Sequence, residues 1–97
     1  MIQREFTGSA GGDRTAVRVT IRVYPPSPTA WIWIAFAGGR EFRDEASNIA
    51  AFRAWAAGGC VSLKPLMSGG ERQDFCVDLL RVLCEVDRDF QEAVKDG

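Results

Sequence analysis

Apolar and polar residues alternate strictly from Val17 to Tyr24. Val17, Val19, Ile21 and Val23 fall on one side, and Arg18, Thr20, Arg22 and Tyr24 on the other. A period of two with β-branched residues predicts a half-buried strand over residues 14–24. Pro25, Pro26 and Pro28 stop it, because proline cannot donate to a strand ladder. The next run, Ala30–Ala37, contains no polar side chain. Its short length between turn signals reads as another strand. Trp31, Trp33, Ala35 and Ala37 lie on one face, Ile32, Ile34 and Phe36 on the other. A strand apolar on both faces needs cover on both, or offers one face to a partner.

Weaker patterns complete the chain. Residues 2–7 predict a first strand, and Gly8–Gly12 a mobile connection. Gly38-Gly39 suits a two-residue hairpin turn, since glycine accepts the positive φ such turns require. Arg40–Arg43 then forms a short fourth strand. Asp44 is the expected N-cap of a helix over 45–57, with Ile49, Phe52, Trp55 and Ala56 on one side and Gly58-Gly59 ending it. Cys60–Lys64 reads as an edge strand or a loop, because Pro65 excludes a central strand. Ser68 and Glu71 have capping-box spacing. A long helix over 71–95 follows, with Phe75, Leu79, Leu83, Val86, Phe90 and Val94 in one stripe. Asp78, Arg81, Glu85, Arg88 and Glu92 lie opposite, Arg81 and Glu85 at ion-pair spacing. Val77, Leu80 and Cys84 widen the apolar surface of its first half. These elements predict one α+β domain over residues 1–97: an antiparallel meander of about four strands packed with two helices, in the order β-β-β-β-α-(β)-α.

Turn lengths decide which face of the sheet is inside. If Tyr24 opposes Thr29, Arg22 opposes Trp31 and Thr20 opposes Trp33. The Val/Ile face then continues through Ile32, Ile34 and Phe36. Arg18, Arg22, Tyr24, Trp31 and Trp33 form the outer array, with cation–π contacts open to the arginines. If Tyr24 opposes Ala30, the tryptophans join the valines inside. A two-residue Gly38-Gly39 loop pairs Ala37 with Arg40, placing Phe42 on the tryptophan face and Glu41 and Arg43 on the isoleucine face. That second clue favours tryptophans covered by a helix or a second subunit. In that case Val77, Leu80 and Cys84 are the best-placed cover for the isoleucine face.

Composition narrows the functional classes. The net charge of −1 argues against bulk attraction to nucleic acid or membrane. Residues 1–70 hold eight basic against five acidic side chains, and residues 71–97 four against eight. The sheet region is therefore mildly basic and the last helix acidic. Ten of the twelve basic residues are arginine, which with abundant Ala and Gly suggests a bacterial or phage origin. Three cysteines without CxxC or histidine provide no zinc set. The first residues do not form a signal peptide, and no apolar run reaches membrane-spanning length, so the expectation is a cytoplasmic protein with reduced thiols.

Catalytic equipment is sparse. Histidine, the commonest general base, is absent. Cys60 follows two glycines with Lys64 near and is the one nucleophile to consider, yet it reads more simply as a small buried residue. Asp87 and Asp89 point to different sides of a helix and do not pair. Neither Gly8–Gly12 nor Ser68-Gly69-Gly70 carries a P-loop or GxGxxG pattern. The expectation is a protein with no catalytic residues, cofactor or metal.

What remains is contact. Three tryptophans, Tyr24 and ten arginines match the residues that dominate interface centres. Arg18, Arg22, Tyr24, Trp31 and Trp33 are the candidate partner-binding set. In size and element order the chain broadly resembles small prophage-borne inhibitors and bacterial immunity proteins. The expected function is an inhibitor or accessory protein acting on a protein partner, for example a phage-derived inhibitor of a bacterial defence complex such as an anti-CRISPR protein. A homodimer that buries the surplus strand face is a further expectation. The alternatives are a nucleic-acid module using the Arg/aromatic sheet face and, more remotely, a small enzyme built on Cys60.

Overall fold

The computed structural model describes residues 1–10, 15–36 and 38–96. Its fold is α+β: an antiparallel sheet in the order β1-β2-β3-β4 followed by two helices, the second long. The strands are β1 (Ile2–Ala10), β2 (Thr15–Val23), β3 (Ala30–Phe36) and β4 (Glu41–Ala46). Helix α1 spans Ile49–Ala57 and α2 spans Gly69–Asp96. Strand β1 extends beyond the expected residues 2–7, through Gly8 to Ala10. The rest of the expected Gly8–Gly12 connection, and Ala37, lie outside the described residues.

The β2–β3 register pairs Arg22 with Trp31 and Thr20 with Trp33. This is the register in which Tyr24 opposes Thr29. Backbone bonds at the next turn correct the two-residue hairpin: Phe36 N–H donates to Arg40 O at 2.8 Å, and Gly39 N–H donates to Phe36 O at 3.2 Å. Phe36 and Arg40 close the ladder, so three residues separate the paired positions rather than the two of Gly38-Gly39. Gly38 and Gly39 both take positive φ, +98° and +92°, as three-residue loops require of their last position. The extra loop residue turns β4 over relative to expectation. Phe42 now opposes Ile34, and Arg43 opposes Trp33.

The inner layer follows from this register. Val17, Val19, Ile21 and Val23 join Ala30, Ile32, Ile34 and Phe36 in one continuous buried face. Against it pack Ile49, Phe52 and Ala56 of α1, and Phe75, Leu79, Val82, Leu83 and Val86 of α2. The helices cover one face of the sheet only. The expectation that a helix covers Trp31 and Trp33 is therefore overturned: they are 36% and 40% exposed. Trp55 is the tryptophan that joins the helical side, stacked on Phe42 at 5.4 Å between ring centres.

Two helix starts show how local signals compete. Asp44 does not cap α1, because β4 continues to Ala46, which pairs with Ala30. Ladder bonds to β3 hold the backbone extended past Asp44. The cap is Asn48, whose Oδ1 accepts the Ala51 N–H at 3.0 Å. At α2, Glu71 Oε2 accepts the Ser68 N–H at 3.2 Å, the glutamate half of the expected capping box.

Between the helices, the segment expected as an edge strand or a loop holds a single 3-10 turn, Val61–Leu63. Cys60 enters it at φ 49°, ψ 51°, a left-handed conformation that costs a non-glycine residue about 1–2 kcal/mol. Hydrogen bonds hold it there: Cys60 N–H donates to Trp55 O at 3.1 Å, and Cys60 O accepts from Leu63 N–H at 2.8 Å. Past this left-handed corner, Leu63 and Met67 are buried in the core.

The α2 stripe is buried from Phe75 to Val86, half-buried at Phe90 and exposed at Val94. Val77 and Cys84 are exposed and Leu80 is half-buried, so that group does not cover the isoleucine face; the main stripe and α1 do. Arg81 lies 3.9 Å from Asp78 rather than pairing with Glu85. Among the described residues no helix is long and apolar enough to cross a membrane.

Candidate functional site

The uncovered face of the sheet is built by alternation. Four strands in antiparallel register bring every second residue outward in cross-strand rows. One row is Gln3, Arg22, Trp31 and Glu45; the next is Glu5, Thr20, Trp33 and Arg43; the third is Thr7, Arg18, Ala35 and Glu41. Arg18, Arg22, Tyr24, Trp31 and Trp33 all lie on or beside this face, which brings the whole sequence-derived set together. All but Arg18 line a shallow depression of about 790 Å³, shared with Thr20, Arg43 and Glu45.

Several side chains on the face are held by a neighbour one strand away. Arg22 Nε donates to Gln3 Oε1 at 2.8 Å. Trp31 Nε1 donates to Glu45 Oε2 at 3.0 Å, while the Tyr24 ring meets Trp31 edge-on at 5.4 Å. Thr20 Oγ1 donates to Glu5 Oε1 at 3.2 Å. The Arg43 guanidinium stands 4.9 Å above the Trp33 ring centre and also binds Glu41 at 3.1 Å. The cation over the tryptophan therefore comes from β4, not from Arg18 or Arg22. Arg43, Glu45 and Glu41 were missed as site residues because the turn length expected at Gly38-Gly39 put the odd positions of β4 on the wrong side. The alternation Glu41, Arg43, Glu45 is itself a legible signal once the loop has three residues.

Electrostatically the face is balanced. Arg18, Arg22 and Arg43 stand among Glu5, Glu41 and Glu45. Arg43 binds Glu41 directly, and Glu5, opposite Thr20, is a diagonal neighbour of both Arg18 and Arg22, about 7–8 Å away, so a phosphate approaching any of these arginines also meets a nearby carboxylate. One face of Trp33 is taken by Arg43, so it is not a free platform for a base.

The remaining candidates lie elsewhere. Cys60 is buried in the core, and burial, with the adjoining Cys76 adding to it and Arg72 opposing, pushes its thiol pKa up. A thiol in that state is a poor nucleophile. Asp87 and Asp89 diverge as expected: Asp87 pairs with Arg53 of α1 at 3.3 Å, and Asp89 with Arg4 of β1. Among the described residues no three His, Cys, Asp or Glu side chains converge to hold a metal.

No protein-family model, curated protein or solved structure matches this chain.

Proposed function

We propose that this protein acts by binding another protein through the open face of its sheet, as an inhibitor or accessory subunit. The observation that carries the reading is the uncovered array of Trp31, Trp33, Tyr24, Arg22 and Arg43, each held in place by a cross-strand partner. Aromatic and arginine side chains supply most of the energy at interface centres, and side chains already ordered lose less entropy on binding. The interleaved glutamates give a partner both signs of charge to match, which suits a protein surface better than a phosphate backbone. A phage-encoded inhibitor occupying a surface of a bacterial defence complex is a concrete form of this role.

The test is affinity capture from the native host with three baits: the wild type, a Trp31→Ala/Trp33→Ala double variant, and Val77→Glu on the helical side. A partner retained by wild type and Val77→Glu but lost from the folded double variant supports the reading. Equal capture by all three, or loss through Val77→Glu alone, overturns it. A low-salt shift assay with single- and double-stranded probes addresses the nucleic-acid alternative. Binding there that weakens steeply with salt, and that fails in the double variant, would favour it.

A further inference from the structure

Cys60 and Cys76 are distant in sequence and adjacent in the fold. Cys60 stands at the left-handed corner after α1, and Cys76 two turns into α2. Both are buried in the same core cluster. Arg72, one turn before Cys76, anchors the corner to the helix: its Nε donates to Gly59 O at 2.9 Å and its Nη1 to Met67 O at 3.4 Å. The peptide bond leading into Cys60 is thus tied to the helical face that carries Cys76. The Cys60 thiol lies beside the Cys76 side chain, within hydrogen-bond reach of it. Cys84, the third cysteine, is exposed.

We propose that Cys60 and Cys76 are a dithiol pair that oxidises to an intramolecular disulfide, a modification site closing the segment between α1 and α2. The route follows from access. Cys76 borders a groove of about 480 Å³ formed with Gly58, Gly59, Arg72, Val77 and Leu80, whereas Cys60 is sealed beneath the corner. A small disulfide oxidant such as glutathione disulfide meets Cys76 first. Cys76 releases its proton to water, and its sulfur displaces one glutathione thiolate, giving a mixed disulfide. Cys60 then loses its proton, and its sulfur attacks Cys76 Sγ. The Cys76–glutathione bond breaks and the second glutathione thiolate leaves. Two protein thiols are oxidised and one glutathione disulfide is reduced to two glutathione molecules. The high pKa of Cys60 makes the second step slow at neutral pH and faster as pH rises.

The experiment uses Cys84→Ser, which alters an exposed position and leaves two thiols. The folded variant, checked by circular dichroism, is incubated with glutathione disulfide at mildly alkaline pH. It is then unfolded, alkylated and weighed. The expected product is a monomer lighter by two hydrogen atoms that takes up no alkyl group and regains both thiols with dithiothreitol. Two alkylated cysteines, a terminal glutathione adduct, or only disulfide-linked dimers would overturn the proposal. In the wild type, peptide mapping without reductant is expected to show a Cys60–Cys76 link with Cys84 alkylated. A link through Cys84 instead would also overturn it.

Discussion

Ile32 and Trp33 are neighbours on β3 whose side chains enter opposite environments, so replacing each by alanine tests the register directly. Ile32 is 1% exposed, enclosed by the valines of β2 and the helices. Ile32→Ala removes buried methyl and methylene groups and leaves a cavity, at a cost of about 2–5 kcal/mol. Trp33→Ala deletes a larger side chain but leaves no enclosed space, because water already reaches that face. Its loss comprises the contact with Arg43, about 0.5–1 kcal/mol at an exposed site, and a fraction of the ~1 kcal/mol range of strand propensity. A total of about 1–1.5 kcal/mol is expected. A domain of this kind holds about 5–15 kcal/mol, so Ile32→Ala consumes a large share and Trp33→Ala a small one. With a urea slope of about 1–3 kcal/mol/M, the two midpoints should differ by on the order of 1 M, Ile32→Ala being lower. Equal midpoints, or a lower one for Trp33→Ala, would refute the one-sided sheet. The comparison is made at two protein concentrations. A Trp33→Ala penalty that grows with concentration would mean that a second copy covers the face.

Other expected outcomes follow from the same geometry. Asn48→Ala should lower stability by about 1 kcal/mol through loss of the α1 cap, whereas Asp44→Ala should change it by under about 0.5 kcal/mol; thermal unfolding distinguishes them. Gly39→Ala should cost about 1 kcal/mol, because φ of +92° is unfavourable with a Cβ although no atom crowds the position; chemical denaturation measures it. Arg53→Ala should cost at most about 1 kcal/mol, and the difference should shrink in high salt, since the pair with Asp87 is partly exposed. The folded Cys60 thiol titrates above its unfolded value of about 8.5. Its contribution to stability is therefore whole below that pH. It declines as pH rises further, because the unfolded chain releases a proton that the folded chain keeps. The slope is at most about 1.4 kcal/mol per pH unit, and Cys60→Ala should remove it in urea titrations between neutral and alkaline pH.

Much of this protein is determined by the chain's own periodicities. Alternation in β2, the apolar run of β3, the glycines after α1 and the stripe from Phe75 to Val86 each act over a few residues. They produce the same local structure whatever lies across the sheet. Arg18, Arg22 and Tyr24 were legible as one group and Trp31 and Trp33 as another for this reason, since residues two apart on a strand share a face; the β2–β3 register joined the two groups. What the tertiary structure decided is which side that face looks to. One residue of loop length at Gly38-Gly39 inverts every side chain of β4, and sequence does not distinguish a two-residue loop from a three-residue one there. Backbone bonds between Phe36, Gly39 and Arg40 do. That inversion sent Phe42 to the core and brought Arg43 over Trp33 and Glu45 to Trp31. Long-range packing also overrode two local signals. The β3 ladder kept Asp44 extended against its local signal for starting a helix. The left-handed corner at Cys60 led into a 3-10 turn where the local pattern allowed an edge strand or a loop, and set its thiol beside Cys76.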